Sequence, residues 1–208
     1  MKKNIVLIGG GGHCKSVTEV LESLEYSILG ILDIPEKIGE KILSTSVIGT
    51  DDDIHKYKDN ATFIITVGFI KDPSIRIKLY NKVKNSGGKL ETIIAPTAYV
   101  SKYATIEEGT IVMHKAFVNA EVKIGRNCII NTFSNIEHES IIGDNCHIST
   151  GAMVNGGCII GDNTFIGSQS VLAHGISVER NSIISAGAFV HKSINSGVYI
   201  CNPANKIK

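Results

Sequence analysis

The sequence predicts an α/β domain followed by a parallel β-helix, and two observations lead to this prediction. The first is that valine, isoleucine or leucine stands at every sixth position from Val100 to Val190, 16 of 16 times. A six-residue period is typical of a parallel β-helix. The second is that an apolar strand, a glycine turn and a helical stretch follow one another near the N-terminus, as in α/β domains. The 16 aliphatic residues are Val100, Ile106, Val112, Val118, Ile124, Ile130, Ile136, Ile142, Ile148, Val154, Ile160, Ile166, Leu172, Val178, Ile184 and Val190.

The first predicted domain, residues 1–94, has the pattern of a small Rossmann-like domain. Its apolar runs alternate with helical stretches, and this alternation predicts a parallel sheet with helices on its faces. Glycines fill positions 9–12, between the first strand and the first helix. The predicted strands cover residues 4–8, end near residue 32 and cover residues 62–67, and the helical stretches cover residues 17–24 and 74–85.

The second predicted domain, residues 95–195, is the β-helix. The residue two positions before each aliphatic is usually small, and side chains two apart on a strand share a face, so both are expected to point inward. Glycine or asparagine follows the aliphatic at seven positions, which we interpret as corners that need positive φ. The period fails at Ser196, so residues 196–208 are predicted to form a tail. The seven positions are Asn119, Gly125, Asn131, Gly143, Asn155, Gly161 and Gly167.

The composition excludes several classes of function. A formal net charge of +1 over 208 residues gives no support for nucleic-acid binding. No apolar run approaches the roughly 20 residues of a membrane span, and the N-terminus does not resemble a signal peptide, so we expect a cytoplasmic protein. Three of the five cysteines, Cys128, Cys146 and Cys158, fall on the small inward phase and are explained by packing. Reduced thiols are expected in the cytoplasm.

The glycine turn is a candidate substrate-binding segment. Glycines allow the backbone to approach a ligand, and the free amides at a helix N-terminus favour an anion such as phosphate. Asp33 ends the second strand, where Rossmann domains often hold a sugar hydroxyl. His13 and Lys15 are close enough in sequence to help bind a pyrophosphate or sugar. The residues predicted to bind the substrate here are Gly11, Gly12, His13, Lys15 and Asp33.

The most suggestive column of the β-helix contains His138 and Gly156. They are 18 residues apart, which is one coil of three hexads. A glycine stacked on a histidine leaves a gap without a side chain beside a potential base. The exposed amide of Gly156 could also donate to a developing oxyanion, as acyl transfer requires.

Five segments of the sequence resemble those of a known family. The segments that carry the resemblance span almost the whole chain and are Gly11-Gly12-His13, Ile130-Asn131-Thr132, His138-Glu139, His147 and Asn202-Pro203-Ala204. They are similar to those of the hexapeptide-repeat sugar O-acyltransferases named for sialic acid O-acetylation. That family also contains the N-acetyltransferases of nucleotide-linked 4-amino-4,6-dideoxy sugars in the bacillosamine and perosamine pathways.

The resemblance implies a left-handed coil of 18 residues and a set of roles. His138 would be the general base, Glu139 would polarise it, and the amide of Gly156 would contact the thioester carbonyl of acetyl-CoA. His147 and His174 are assigned with Gly156 to acetyl-CoA binding, and Asn131 is assigned to substrate binding. Coenzyme A would lie between neighbouring subunits of a homotrimer.

The chain departs from the family pattern at three places. Cys14 replaces the usual small residue after the histidine, and Cys201 replaces the glycine that commonly precedes Asn-Pro-Ala. The segment at residues 68–73 is longer than the family's short turn, which bears on sugar and nucleotide specificity.

No loop interrupts residues 100–190, so no extruded loop of the β-helix prism can complete the active-site cleft. The N-terminal domain is therefore predicted to pack near the prism and to form one wall of that cleft.

The resulting hypothesis is an acetyl-CoA-dependent N-acetyltransferase of cell-surface glycan biosynthesis. It would act by direct transfer on the 4-amino group of a nucleotide-linked dideoxy sugar, with UDP favoured over GDP and without a metal. Within the enzyme class, the alternative is a sialic-acid-type sugar O-acetyltransferase. A metal hydratase like the γ-class carbonic anhydrases is a rival, because His138 and His174 share a column, although Glu179 stands where a third histidine would be needed. A non-catalytic trimeric scaffold is the last alternative.

Overall fold

The computed structural model describes residues 2–200. The first domain contains one sheet with the strand order β3-β4-β2-β1-β5, in which only the β3–β4 pair is antiparallel. Its strands are β1 (Asn4–Ile8), β2 (Ser27–Leu32), β3 (Lys41–Ile42), β4 (Thr45–Gly49) and β5 (Thr62–Ile65). Its α-helices are α1 (Gly12–Ser23), α2 (Ile54–Tyr57) and α3 (Ser74–Asn85), with short 3-10 turns at Pro35–Lys37 and Asp51–Asp53.

The local sequence explains where the two long helices begin and end. Helix α1 follows the glycine turn, and its N-cap Gly11 contributes no side-chain cap. Helix α3 begins after Asp72, whose carboxylate accepts from the Ser74 N–H at 2.8 Å, and it ends before Gly87, which has a φ of 81°. None of the helices within residues 2–200, the longest of which have 12 residues, is long and apolar enough to cross a membrane.

The predicted parallel β-helix is confirmed, and it is left-handed with three faces. Face 1 consists of β6 (Ile93–Ile94), β9 (Ile111–Val112), β12 (Ile129–Ile130), β15 (His147–Ile148), β18 (Phe165–Ile166), β21 (Ile183–Ile184) and β23 (Val198–Tyr199). Face 2 consists of β7 (Tyr99–Val100), β10 (Phe117–Val118), β13 (Asn135–Ile136), β16 (Met153–Val154), β19 (Val171–Leu172) and β22 (Phe189–Val190). Face 3 consists of β8 (Thr105–Ile106), β11 (Lys123–Ile124), β14 (Ile141–Ile142), β17 (Ile159–Ile160) and β20 (Ser177–Val178).

The hexad aliphatics form the core of the prism. The second residue of each two-residue strand points inward and the first points outward, as the pairing of Phe117 with Asn135 and of Val118 with Ile136 illustrates. The small inward cysteines Cys128, Cys146 and Cys158 are free thiols without solvent exposure. Their thiols donate to carbonyls of the next coil, for example from Cys128 Sγ to the Gly143 oxygen at 3.1 Å. The inward positions therefore provide hydrogen bonds as well as packing.

The interpretation of the glycines after the aliphatics was wrong. Gly125, Gly143, Gly161 and Gly167 do not have positive φ; the left-handed residues lie two positions later, as at Asn127 with a φ of 57°. A Cβ at Gly125 would lie 2.8 Å from the backbone nitrogen of Asp144 on the next coil. These glycines are required because successive coils approach closely there, not because of their own backbone conformation.

Strand pairing on face 1 extends beyond both predicted limits of the β-helix. Strand β23 pairs with β21, with Val198 opposite Ile183, so face 1 continues into the segment 196–208 that was predicted to be a tail. The last coil advances 15 residues instead of 18 between these partners, and this shortening breaks the six-residue period without breaking the pairing. Face 1 also begins at Ile93, where β6 pairs with β9. The domain limits at residues 94 and 195 stay predictions.

The first domain packs on face 1 of the β-helix. Ile111 and Met113 of the β-helix share one apolar core with Val17 and Leu21 of α1. Arg76 of α3 is fully buried and spans both domains: its Nε donates to the Asn127 oxygen at 2.9 Å, and its Nη1 donates to the Ile65 oxygen at 2.5 Å. The two domains are therefore joined by apolar packing and by a buried guanidinium.

The close approach of coils at Gly125 predicts the effect of a single methyl group. Gly125→Ala should lower the free energy of unfolding by about 2–3 kcal/mol, because the Cβ would collide with backbone atoms that cannot move aside. Gly187→Ala is the matched control, since Gly187 has a φ of 68° and no atom within 4 Å of an added Cβ, and it should cost about 1 kcal/mol. Urea denaturation measures both values. Equal costs would contradict the steric explanation.

Candidate active site

His138 lies at the corner between faces 2 and 3, just after β13. Its Nδ1 contacts Glu139 Oε2 at 3.0 Å, and the two side chains are 50% and 65% exposed. A hydrogen bond to a carboxylate requires the proton on Nδ1, so the lone pair of the neutral ring is on Nε2. A Cβ added at Gly156 would lie 2.7 Å from that Nε2. The ring of His138, with its basic nitrogen, therefore packs directly on Gly156, and only a glycine leaves room for it there.

The N–H of Gly156 is available as a donor. The equivalent corner amides of Ala120 and Thr132 donate to the side chain of the preceding asparagine, Asn119 or Asn131. At the corner of Gly156, the preceding asparagine differs. The side chain of Asn155 is turned away, and its Nδ2 donates to the Leu172 oxygen at 2.7 Å. Among the hydrogen bonds of residues 2–200, none is donated by the Gly156 N–H. Gly156 is buried, contrary to the expectation of an exposed amide, because the His138 ring covers it.

Glu137 completes the corner, and its role was missed in the sequence. Its carboxylate accepts from Asn119 Nδ2 at 2.6 Å and from Asn135 Nδ2 at 3.0 Å. These two hydrogen bonds hold the pKa of Glu137 below its usual range, so it is an anion directly before the base. The acidic pair on either side of His138 was visible in the sequence, but only the corner geometry shows that Glu137 is fixed by the two amides.

His147 is buried at the junction of the two domains. Its Nδ1 contacts the Phe69 oxygen at 2.8 Å and its Nε2 contacts Asn131 Nδ2 at 3.1 Å. The rings of Phe69 and Phe165 pack edge-on against it, with centroids 5.7 and 5.2 Å away. Burial is the largest cause that lowers the pKa of His147 to about 4. His147 is thus a neutral ring that connects the segment 68–73 to face 1.

His13 belongs to the same junction. Burial, together with the nearby Arg76 guanidinium and His147, lowers the pKa of His13 to about 3. Its Nε2 has no hydrogen-bond partner among the described residues. The glycine turn, α3 and face 1 therefore meet around three nitrogen-rich side chains, of which only Arg76 is charged at neutral pH.

The glycine turn borders a cleft at the carboxyl ends of the parallel strands. The cleft has a volume of about 280 Å³, and its lining includes Gly9, Asp33 and Val67. Asp33 accepts from the Gly10 N–H at 2.7 Å and from Lys37 Nζ at 3.0 Å. Burial alone would raise the pKa of Asp33, but hydrogen bonds from Ile34, Lys37 and Gly10 outweigh it and lower the pKa. The cleft lies beside β1, where the order of the strands reverses and α/β domains bind ligands.

The remaining residues of the predicted turn site are open to solvent. Gly11, Gly12 and Lys15 are exposed, and a Cβ at either glycine would meet nothing within 4 Å. The first turn of α1 contains no acidic residue, so its amides remain available for an anion.

A groove of about 670 Å³ separates the segment 68–73 from face 1. Ile70 and Lys71 line it on one side, and His147, Ser149 and Phe165 line it on the other. The first domain therefore forms a wall against the prism, which the sequence predicted as one wall of the active-site cleft. This wall stands at face 1, however, whereas His138 lies at the corner between faces 2 and 3.

The predicted site residues thus form two groups in one chain. His138, Glu139, Gly156 and His174 share one corner, and the glycine turn, His147 and Asn131 lie at face 1 and its border with face 2. The Asn202-Pro203-Ala204 segment and Cys201 lie outside the described residues. Phe69 and Arg76, which hold the second group together, were not singled out in the sequence because their partners are distant in the chain.

Comparison with known proteins agrees with this architecture. Residues 4–83 match the PglD N-terminal domain. Residues 121–156 match the bacterial transferase hexapeptide and residues 157–192 match the hexapeptide repeat of succinyl-transferase. The chain therefore joins a PglD-type N-terminal domain to hexapeptide repeats of the transferase type.

The similar proteins are named as acetyltransferases. A curated relative from Bacillus subtilis (strain 168), UDP-N-acetylbacillosamine N-acetyltransferase, is 31% identical over 114 residues, which are 53% of this chain and 51% of that protein. The matched region thus spans about half the length of that relative.

Two solved structures resemble nearly the whole chain. PerB from Caulobacter crescentus, in complex with CoA and GDP-perosamine, has a TM-score of 0.86 and 28% identity over 93% of this chain and 91% of its own. The acetyltransferase domain of PglB from Neisseria gonorrhoeae, in complex with acetyl coenzyme A, has a TM-score of 0.86 and 27% identity over 94% of both chains.

The buried histidines predict a loss of stability in mild acid. His13 and His147 stay neutral in the folded chain because their pKa values are about 3 and about 4, whereas the unfolded chain takes up protons below pH ~6.5. Their contribution is therefore complete above pH ~6.5 and is lost as the pH falls towards about 4. His147→Gln, which keeps an N–H donor for Phe69, should reduce the slope of unfolding free energy against pH by about 1.4 kcal/mol per unit in this window.

Denaturant titrations at fixed protein concentration between pH 6.5 and 4.5 measure that slope. His191→Gln, which removes an exposed histidine of the β-helix, is the control and should keep the wild-type slope. A wild-type slope in His147→Gln would contradict the assignment of His147 as a buried neutral ring.

Proposed function

We propose that the protein is an acetyl-CoA-dependent N-acetyltransferase that acts on the 4-amino group of a nucleotide-linked dideoxy sugar. The observation that carries the proposal is the corner at which His138 Nε2 faces the free amide of Gly156. The names of the relatives support acetyl transfer to an amino sugar. UDP is proposed as the nucleotide because the curated relative is named for a UDP-linked sugar, although PerB was solved with a GDP-linked one.

The corner suits direct transfer without an acyl-enzyme. The sugar amine attacks the thioester carbon while His138 Nε2 takes its proton, and the thiolate of coenzyme A leaves. Glu139 holds the Nδ1 proton and stabilises the imidazolium that forms. The Gly156 N–H donates to the carbonyl oxygen as it becomes negative. These three roles require a base, a carboxylate that orients it and one backbone N–H, all within two successive coils.

The turn residues would bind the acceptor. We assign the cleft beside Asp33 to the nucleotide and the free amides at Gly11 and Gly12 to its phosphates, with Lys15 as a neutralising charge. His13 and Asn131 stay substrate-side candidates on the strength of the resemblance. His147 and His174 stay assigned to acetyl-CoA, and the groove beside Ser149 offers space for part of this ligand.

A second copy of the chain is needed to complete such a site. The base and the glycine turn lie on different sides of the prism in one chain, so a neighbouring subunit would have to supply the missing half. Outward apolar side chains on face 2 favour this arrangement: Tyr99, Met153 and Phe189 are 54%, 39% and 67% exposed. We therefore propose a homotrimer with the active site between subunits. The free thiols fit a cytoplasmic enzyme.

The first test measures acetyl transfer. Purified protein is given acetyl-CoA with a UDP-linked or a GDP-linked 4-amino-4,6-dideoxy sugar or with sialic acid, and the acetylated product is quantified by chromatography. We expect faster turnover with the UDP sugar and a loss of at least about 100-fold in His138→Ala. His191→Ala should retain wild-type activity. Equal activity in His138→Ala would contradict the role of the base, and acetylation of sialic acid hydroxyls alone would favour the O-acetyltransferase.

The second test separates the function of Glu139 from its backbone strain. Glu139 has a φ of 61°, and Glu121, one coil earlier, has a φ of 62°. Asparagine tolerates this left-handed region better than glutamate does. Both Glu139→Asn and Glu121→Asn should therefore stabilise the fold by about 0.5–1 kcal/mol. Only Glu139→Asn should lower the turnover number, by at least about tenfold, because it alone removes the carboxylate on His138 Nδ1.

Thermal unfolding and the product assay on the same preparations measure both effects. Loss of turnover in both variants, or in neither, would contradict an orienting role for Glu139.

A further inference from the structure

His138 and His174 stand on either side of Gly156. The centroids of the two rings are 6.3 Å apart, with an angle of 47° between their planes. Gly156 lies next to His138 Nε2, and a Cβ added at Gly157 would lie 3.8 Å from His174 Cε1. Both rings are exposed and overhang two consecutive glycines. No side chain at these two positions separates the imidazoles.

This spacing is close to that of two histidines on one metal ion. With Zn–N distances of about 2.0–2.1 Å and near-tetrahedral angles, two coordinating rings have centroids about 5–6 Å apart. The observed separation exceeds this by less than about 1 Å, which small side-chain rotations can close. The backbone of successive coils is held by hydrogen bonds such as Gly157 N to the His138 oxygen at 2.9 Å and Gly175 N to the Gly156 oxygen at 2.9 Å. The two imidazoles are thus carried on a rigid support.

The tautomer of His138 also favours a metal. Glu139 accepts the Nδ1 proton at 3.0 Å, so Nε2 keeps its lone pair, and the side chain of His138 is half exposed. Carboxylate–histidine–metal arrangements of this kind are common around zinc, where the carboxylate fixes the ring. Among the described residues, no group of three or more histidine, cysteine, aspartate or glutamate side chains could hold a metal. A bound ion would therefore have two protein ligands and exchangeable water.

We propose that His138 and His174 form a two-histidine site for a zinc-like divalent cation, bound over Gly156. Imidazole pairs suit zinc, nickel and copper ions, whereas magnesium and calcium prefer oxygen ligands. The ion takes the lone pair of His138 Nε2, so it blocks the proposed base and inhibits the enzyme. The site exists independently of the reaction, and only its inhibitory effect rests on the proposed function.

Direct titration of the tag-free protein with zinc chloride by calorimetry tests the site. We expect one ion per chain, with affinity reduced at least about tenfold in His174→Gln and in His138→Gln. Glu139→Gln should also weaken binding about tenfold, as removal of a carboxylate that orients a metal-binding histidine does. His191→Gln is the control and should bind like the wild type. Unchanged binding in His174→Gln, or no binding by the wild type, would overturn the proposal.

The product assay supplies the second readout. Zinc should suppress turnover of the wild type, EDTA should restore it, and the turnover that His174→Gln retains should be insensitive to the same zinc concentration. Equal inhibition of wild type and His174→Gln would overturn the proposal. The calorimetric result does not depend on turnover, so failure of the metal site is distinguishable from failure of the acetyltransferase proposal.

Discussion

The placement of the two domains depends on the buried guanidinium of Arg76. It donates to carbonyls of both halves of the chain, at Ile65 and Val67 on one side and at Asn127 and Gly109 on the other. Within residues 2–200 no carboxylate forms a salt bridge with it, and burial lowers its pKa to about 10. An unpaired charge of this kind is costly unless its donors are satisfied. The four carbonyls provide that compensation, and they can do so only when α3 is docked on face 1.

The histidines of the junction are neutral mainly because they are buried. Burial lowers the pKa values of His13 and His147, and the nearby Arg76 charge lowers them further. A neutral His147 can use one ring nitrogen for the Phe69 oxygen and the other for the Asn131 amide. The segment 68–73 is thereby fixed to the prism, although it belongs to the first domain. The wall of the groove on face 1 is consequently held at two points, by His147 at the Phe69 oxygen and by Arg76 at the Val67 oxygen.

The six-residue period was sufficient to predict the β-helix, and the 18-residue coil taken from the resemblance was sufficient to predict the stacking of His138 on Gly156. Both features repeat locally, so a single sequence reveals them. The contacts of His147 with Phe69 and of Arg76 with Asn127 span 78 and 51 residues, and no periodic pattern encodes them. The prediction of positive φ at the glycines after the aliphatics was wrong for a related reason. A Cβ at Gly125 is excluded by backbone atoms of the next coil, and the sequence of one coil does not show this contact. Sequence patterns therefore describe one coil better than they describe contacts between distant segments.

The chemistry of the His138 corner depends on a departure from the regular coil. Another corner of the prism closes its own hydrogen bonds: the side chains of Asn127, Asn145 and Asn163 each donate to the next asparagine of the stack, which ends at Asn181. At Gly156 the side chain of the preceding asparagine is turned away and the glycine has no side chain, so His138 Nε2 and the Gly156 N–H are both left without a hydrogen-bond partner among residues 2–200. The same opening that would admit a thioester also leaves Nε2 accessible to a metal ion. Susceptibility to zinc is thus a physical consequence of keeping the base available.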